Sequence, residues 1–245
     1  MERLPLTLYD VLACVVAGVV LLIAGDVALG SAQLLQHNLD LTNSVVVVIA
    51  AYILGHIIAQ LSGFLFERVA VREILGSPED LLIRERRHGL RAVVFPGYFA
   101  PLPSRMRAEV LERAKAADLN TDGRDIYSSA RQRVRREGET ASKLETFLNL
   151  YGFCRNTSFA LLVAGLLLLV CARATPWRLA GGAHAEAFWG GLVVLAGMIL
   201  FYRYLKFFRL YTVEVFQAYA TTPFAPLAPP DTHDGQDGKG GANDQ

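Results

Sequence analysis

The chain has 245 residues, of which 53% are hydrophobic and 19% are charged, and its formal net charge is +1. Soluble proteins of this length are also about half apolar, so the bulk composition alone excludes little. The cysteines lie in or beside apolar segments without a C-x-x-C pair, which argues against a disulfide framework or a zinc site and for buried thiols. They are Cys14, Cys154 and Cys171.

The apolar residues are concentrated in four blocks, and a helix needs about 20 such residues to cross a bilayer. The first block covers about 8–29 and the second about 44–66. The third, about 157–172, is the shortest. The fourth covers about 187–210 and ends in the aromatic and basic run FYRYLKFFRLY, which is typical of an anchor at the membrane interface. The pattern predicts an all-α, polytopic membrane protein with four transmembrane helices.

The first block also has one feature of a cleaved signal peptide. The residues Ala-Leu-Gly at 28–30 resemble a small-residue cleavage site. The residues before the block carry one acid and one base, however, so their positive character is weak. A retained first helix is therefore the working prediction, and it gives two pairs of transmembrane helices, within 1–66 and 157–222.

The distribution of lysine and arginine predicts the orientation of the chain, because cytosolic loops carry an excess of both. Segment 30–43 contains none, segment 173–186 contains two, and segment 67–156 contains seventeen. We therefore predict that both termini and segment 67–156 face the cytosol. The chain is then a multi-pass protein of the plasma membrane, which in a bacterium is the inner membrane.

Segment 67–156, here called the arginine-rich insertion, is predicted to form helices that extend the second and third spans into the cytosol. Ile126, Ala130 and Val134 recur every four residues and therefore share one helical face. A similar apolar stripe extends the fourth span at Phe208, Tyr211, Val215 and Tyr219. After these helices, segment 223–245 is rich in Pro, Gly, Asp and Asn, so we predict a disordered tail.

A line of polar and small residues follows one face of the second span, provided that the helix turns by about 100° per residue. Its members are Tyr52, His56, Gln60, Gly63 and Glu67. Polar groups are costly in hydrocarbon and often mark a pathway, so one interpretation is a pore lining with Glu67 at the cytosolic mouth. The alternative is a packed interface in which His56 and Gln60 form hydrogen bonds between helices.

Two runs of arginine mark the arginine-rich insertion, in which fifteen arginines accompany two lysines. The first run is Arg84, Arg86, Arg87 and Arg91, and the second is Arg131, Arg133, Arg135 and Arg136. Guanidinium groups suit bidentate recognition of phosphate, which favours a nucleotide or nucleic-acid ligand. Two alternatives remain open: the arginines satisfy the orientation rule alone, or they contact anionic lipid headgroups.

The sequence lacks the common catalytic patterns: G-x-S-x-G, H-E-x-x-H, the P-loop and G-x-G-x-x-G. Residues 118–123 match the first half of a calcium-binding EF-hand loop, but position twelve of that loop is Ser129 instead of glutamate. We therefore predict no enzymatic activity, no cofactor and no metal site.

In architecture, the chain resembles the small transmembrane effectors of bacterial anti-phage defence systems. The resemblance rests on four spans, an arginine-rich insertion and the lack of a catalytic signature, and no residue motif carries it. It implies a homo-oligomeric, channel-like effector in contact with membrane lipid, which opens when its cytosolic region binds an anionic ligand. The alternative is a non-conducting membrane anchor that recruits a cytosolic partner protein.

The predicted orientation can be tested by cysteine-accessibility labelling in intact cells. A membrane-impermeant reagent should label engineered cysteines in segments 30–43 and 173–186, because both loops lie outside the cytosol. It should not label a cysteine placed near Arg133. Labelling near Arg133 from outside the cell would overturn this topology.

Overall fold

A computed structural model describes residues 8–30, 33–36, 40–84, 89–120, 122–135, 138–173 and 182–221. Within these residues the regular secondary structure is entirely helical. The helices are α1 (Leu8–Leu29), α2 (Gln33–Gln36), α3 (Leu41–Ser62), a π-helical segment (Gly63–Leu75), α4 (Pro78–Ile83), α5 (Leu90–Val94), α6 (Ser104–Ala116), α7 (Gly123–Val134), α8 (Gly138–Cys171) and α9 (Gly182–Thr221). The predicted disordered tail, 223–245, lies outside the described residues.

Four of the described helical stretches are long and apolar enough to cross a membrane. They are Val11–Leu29, Leu41–Ile83, Ala141–Cys171 and Gly182–Thr221. The prediction of an all-α protein with four such helices is therefore confirmed at the level of length and composition. Three of the stretches continue well beyond their apolar parts, so each projects polar helix from one end of the bundle.

The apolar helices form a bundle in which α1 packs against both α3 and α8, and α8 packs along α9. Helices α1 and α3 approach so closely that a Cβ atom on Gly18 would lie 1.8 Å from the carbonyl oxygen of Ala51. In the reverse direction, a Cβ atom on Gly55 would lie 2.0 Å from the carbonyl oxygen of Cys14. Small residues at such crossings let two backbones pack directly, which drives association where lipid supplies no hydrophobic force between helices.

The second long helix changes its geometry at Gly63, where α3 continues as a π-helical segment. The backbone N–H of Gly76 then donates to the carbonyl of Val71 over 2.7 Å, which is the five-residue step of a π-helix. Most π-helices in proteins are single-turn bulges, so a segment of 13 residues is unusual. Its wider turn changes which side chains face the rest of the bundle.

A polar helical domain lies at the end of the bundle where these helices project. Its core is formed by α4, α6, α7, the start of α8 and the end of α9. Ile126, Ala130 and Val134 of α7 are fully buried, which confirms the predicted apolar face of that helix. The stripe that extends the fourth span is likewise buried at Tyr211, Val215 and Tyr219.

The aromatic run at the end of the fourth apolar block has a structural role that its sequence did not indicate. Tyr204 is fully buried, and its ring lies 5.8 Å from that of Phe66 and 5.1 Å from that of Tyr151. Only some members of the run, such as Tyr202 at 48% exposure, have the accessibility that an interfacial anchor needs. The run therefore joins three long helices where their apolar parts end.

The close crossing of α1 and α3 predicts that Gly18→Ala destabilises the protein. The added methyl group meets backbone, which cannot rotate away, so the helices must separate at a cost of about 1–3 kcal/mol. Gly25→Ala is the matched control on α1, because a Cβ atom there meets nothing within 4 Å. Thermal unfolding in detergent should show a lower midpoint for Gly18→Ala alone, and equal midpoints would refute the crossing.

Candidate functional site

The first three residues of the polar stripe, Tyr52, His56 and Gln60, lie on the outer surface of the bundle. We call them the upper stripe, and we call Gly63 and Glu67 the lower part. His56 and Gln60 are both exposed, and Tyr52 is partly buried. The rings of Tyr52 and His56 contact each other edge to face, with centroids 4.6 Å apart. Among the described residues, the side chain of Gln60 has no hydrogen-bond partner. This part of the stripe therefore presents polar groups to the surroundings of the single chain.

The lower part of the stripe faces α8 instead. The Nη1 of Arg155 and the hydroxyl of Tyr151 both donate to the same carboxylate oxygen, Oε1 of Glu67. Gly63 lies against the same guanidinium, since a Cβ atom there would be 3.5 Å from Nη1 of Arg155. In a single chain Glu67 is consequently an ion-paired group between two helices.

The change from α- to π-helix explains why the five residues divide between two surfaces. The sequence pattern assumed an α-helical turn throughout, but the α-helix ends at Ser62. After that point the buried positions are Phe66, Val71 and Leu75, at steps of four, five and four residues from Ser62. This spacing follows the wider π-helical turn, so Glu67 is carried toward α8 while Gln60 points outward.

Arg155 is a central residue of this region that the sequence interpretation missed. Its side chain is 18% exposed, and its Nε donates to Oδ1 of Asn156 over 3.2 Å. The same Oδ1 accepts a hydrogen bond from Oγ of Ser62 over 2.8 Å. The available signal was the polar run Arg-Asn-Thr-Ser at 155–158, directly before the third apolar block. Polar side chains at that position are costly unless they bond to each other.

A further polar contact between helices is formed by Ser158, whose Oγ donates to the backbone carbonyl of Gly197 over 2.8 Å. Both Ser158 and Asn156 are buried. Among the described residues, hydrogen bonds between helices of the bundle thus involve Ser62, Asn156 and Ser158, in addition to the bonds that Arg155 and Tyr151 donate to Glu67. His56 and Gln60, which the packing interpretation had assigned to that role, make no such bond among the described residues.

The described members of the two arginine runs lie in different surroundings. Arg84 and Arg135 are exposed, and Nη1 of Arg91 donates to the backbone carbonyl of Ile74. Arg131 and Arg133 are partly buried, and the guanidinium of Arg131 lies 5.9 Å from the ring centre of Tyr211. The remaining members of the runs lie outside the described residues; these are Arg86, Arg87 and Arg136.

A cavity of about 440 Å³ brings some of these arginines together with others that the sequence did not single out. It opens between the π-helical segment, α4 and α7. Its arginines are Arg72, Arg124, Arg131 and Arg135. The other lining residues are Ser77, Glu79, Tyr127, Ser128 and Gln132. We refer to this cavity as the basic pocket.

The ionisable groups around the basic pocket are influenced by burial and by each other. Burial raises the pKa of Tyr127 well above its usual range, and the neighbouring Tyr211 adds to the rise, so the phenol stays neutral. Beside the pocket, burial and the carboxylate of Asp122 raise the pKa of Asp80. The guanidiniums of Arg84 and Arg124 act in the opposite direction and lower the pKa of Asp80.

Comparison with known proteins shows no family model, no curated protein and no solved structure that matches the chain. Within the part of the chain that the structure describes, no group of three or more His, Cys, Asp or Glu side chains could hold a metal ion. The candidate functional features are therefore the exposed upper stripe, the Glu67–Arg155 contact and the basic pocket.

The Glu67–Arg155 contact predicts strong energetic coupling between these two side chains. In a double-mutant cycle with Glu67→Gln and Arg155→Met, each single change leaves one charge without its partner, so the two effects should not add. We expect a coupling energy of roughly 1–3 kcal/mol from unfolding in detergent.

The i, i+4 pair Glu109 and Arg113 of α6, 2.9 Å apart with side chains 47% and 30% exposed, provides the control cycle. Its coupling should be about 0.3–0.5 kcal/mol, which is usual for a helical surface pair. If the two cycles gave equal couplings, Glu67 and Arg155 would be an ordinary surface pair.

Proposed function

We propose that the chain is the subunit of a homo-oligomeric, channel-like membrane effector. In this proposal α3 lines the conducting path, and the cytosolic helical domain controls opening by binding an anionic ligand. The observation that carries the proposal is the position of His56 and Gln60, which are exposed on an apolar helix without hydrogen-bond partners among the described residues.

Polar side chains on the outside of a membrane helix require a polar environment, because hydrocarbon supplies no hydrogen bonds. Among the described residues of one chain, neither His56 nor Gln60 takes part in a hydrogen bond between helices, whereas Ser62, Asn156 and Ser158 do. Their environment must then be another copy of the chain, water, or both. A single helix cannot enclose water, whereas a closed ring of identical helices can.

The exposure of α3 supports its place at a subunit interface. Only 17% of its most apolar window is buried within the chain, the same fraction as for α9 and less than the 44% for α8. Large apolar side chains such as Val46, Ile53 and Ile57 are more than half exposed around the same helix. A ring of α3 helices would bury these side chains against neighbouring copies and direct the polar face toward the axis.

The proposed control of opening rests on the continuity of one helix. Gln60 of the stripe and Arg72 of the basic pocket belong to the same uninterrupted helix, which changes from α to π between them. The Glu67–Arg155 contact joins this helix to α8 between the two sites. A ligand that shifts Arg72 therefore acts on the helix that carries the stripe. Discrete shifts of packed helices are a common way to switch a site.

A second candidate function is a non-conducting anchor that recruits a protein partner. It is favoured by α5, which has no buried residue and exposes Leu90 and Val93 by 83% and 77%. Exposed apolar side chains outside the four apolar helices are typical of a contact surface. In this case the stripe serves assembly alone, and current is absent.

The channel proposal predicts that Gln60→Leu closes the path without preventing assembly. The change adds an apolar ring at one level of the pore, and such a constriction excludes water. Single-channel current in planar bilayers should fall at least tenfold, while native mass spectrometry shows the same subunit number. Leu61→Ala is the control, because Leu61 is 48% exposed but lies about 100° around the helix.

Two results would count against the proposal. A wild-type protein that passes no current, with or without nucleotides and short oligonucleotides, would leave the anchor as the better function. A current that survives Gln60→Leu with unchanged conductance would place the path on a different helix.

A further inference from the structure

We infer that the basic pocket binds a phosphate-bearing anion of about nucleotide size. Its arginines come from two parts of the chain that are distant in sequence: Arg72 from the π-helical segment, and the others from α7 and the residue that follows it. Arg124, Ser128, Arg131 and Gln132 lie on one face of α7, and Arg135, its C-cap, continues that face. The pocket is therefore formed by the fold and is not a run of neighbouring charges.

The charges of the lining residues are strongly unbalanced. Four guanidiniums meet one carboxylate, Glu79, whose Oε2 accepts a hydrogen bond from Oγ of Ser77 over 2.5 Å. Among the described residues, none of the four guanidiniums forms a hydrogen-bonded ion pair with a carboxylate. Arg124 also interacts electrostatically with Asp80 beside the pocket. The lining as a whole still carries an excess of positive charge, which an anion in the pocket would neutralise.

Arg131 provides the second observation that points to a ligand. Its Nε is buried and has no hydrogen-bond partner among the described residues. The ring of Tyr211 lies 5.9 Å from this guanidinium and holds it by a cation–π contact. Buried donors are nearly always satisfied in proteins, and an orphaned one marks a position that an unseen group can fill.

The residue types and the volume indicate the class of ligand. Guanidinium groups bind phosphate through paired N–H donors, and four of them can contact more than one phosphate group. The cavity of about 440 Å³ lies within the range of roughly 300–1,000 Å³ that is usual for small-molecule sites. Gln132 adds a neutral amide beside the arginines, whereas the hydroxyl of Ser128 already donates to the backbone carbonyl of Asp125 over 2.9 Å. A nucleotide with two or more phosphates meets these requirements.

The same phosphate chemistry is available from a soluble nucleotide or from a lipid headgroup. Exposed apolar side chains of the second long helix continue past Ser62 to Val69 and Ile74, on either side of Arg72, so the position of the pocket suits either source. The titration below distinguishes the two. The inference rests on the proposed function only for the effect of binding on channel opening. Binding itself is measured separately from current.

The test is isothermal titration calorimetry on the full chain in detergent, with ATP and pyrophosphate as soluble probes. A water-soluble short-chain phosphatidylinositol bisphosphate represents the lipid source. We expect saturable binding that weakens as salt increases. Arg72→Gln and Arg135→Gln should each weaken it about tenfold or more, because each removes a charged hydrogen bond to phosphate. Both side chains are exposed, so neither change disturbs the core.

Arg105→Gln is the matched control, since Arg105 is an exposed arginine of α6 that does not line the pocket. Retained affinity in this variant, with loss in the other two, supports the site. Binding of the lipid probe alone, with the same dependence on Arg72 and Arg135, also supports it and assigns the ligand to the membrane. Equal losses in all three variants, or no binding of any probe, overturn the inference.

The result is distinguishable from that of the channel experiment. Binding at the pocket by a protein that passes no current keeps the site and rejects the channel. Current that responds to Gln60→Leu in a protein that binds none of the probes keeps the channel and rejects the site.

Discussion

The contact of Glu67 with Arg155 and Tyr151 constrains how the second and third long helices leave the apolar bundle. It lies where the second and third apolar blocks change to polar helix, and its partners are separated by 88 residues in sequence. A half-buried charge pair must compensate the loss of water around both groups. Here the hydroxyl of Tyr151 and the amide oxygen of Asn156 supply the additional hydrogen bonds. The contact therefore fixes how the helices leave the bundle together.

Periodicity in the sequence was sufficient for the elements that bury an apolar face. The four-residue spacing of Ile126, Ala130 and Val134 identified the inner face of α7, because an α-helix with such a face has one stable way to pack. The four apolar blocks were identified for a similar reason, since their length and composition suit few other structures. Both signals are local, and a single sequence contains them in full.

The division of the polar stripe could not be derived in the same way. His56 and Gln60 lie in the α-helical part of the second long helix, whereas Glu67 lies in its π-helical segment. No local sequence pattern predicts that segment. The preference of Glu67 for α8 depends on Arg155, a partner that is distant in the chain. The basic pocket could not be predicted from local patterns either, because it combines Arg72 with residues of α7 that are distant in the chain. Sequence neighbours such as Arg131 and Arg133 differ by about 200° in direction on an α-helix.

The π-helical segment gives these separate features a common physical basis. A helix that continued in α geometry beyond Ser62 would keep Glu67 near the outward face of Gln60, leaving a carboxylate beside hydrocarbon and Arg155 without its partner. The wider turn places the carboxylate on α8 and carries Arg72 to the rim of the basic pocket. The π geometry itself is less favourable per residue, so the contacts at both ends must maintain it. A ligand at Arg72, or a second copy of the chain at Gln60, would then change the stability of the π geometry from opposite ends of one helix.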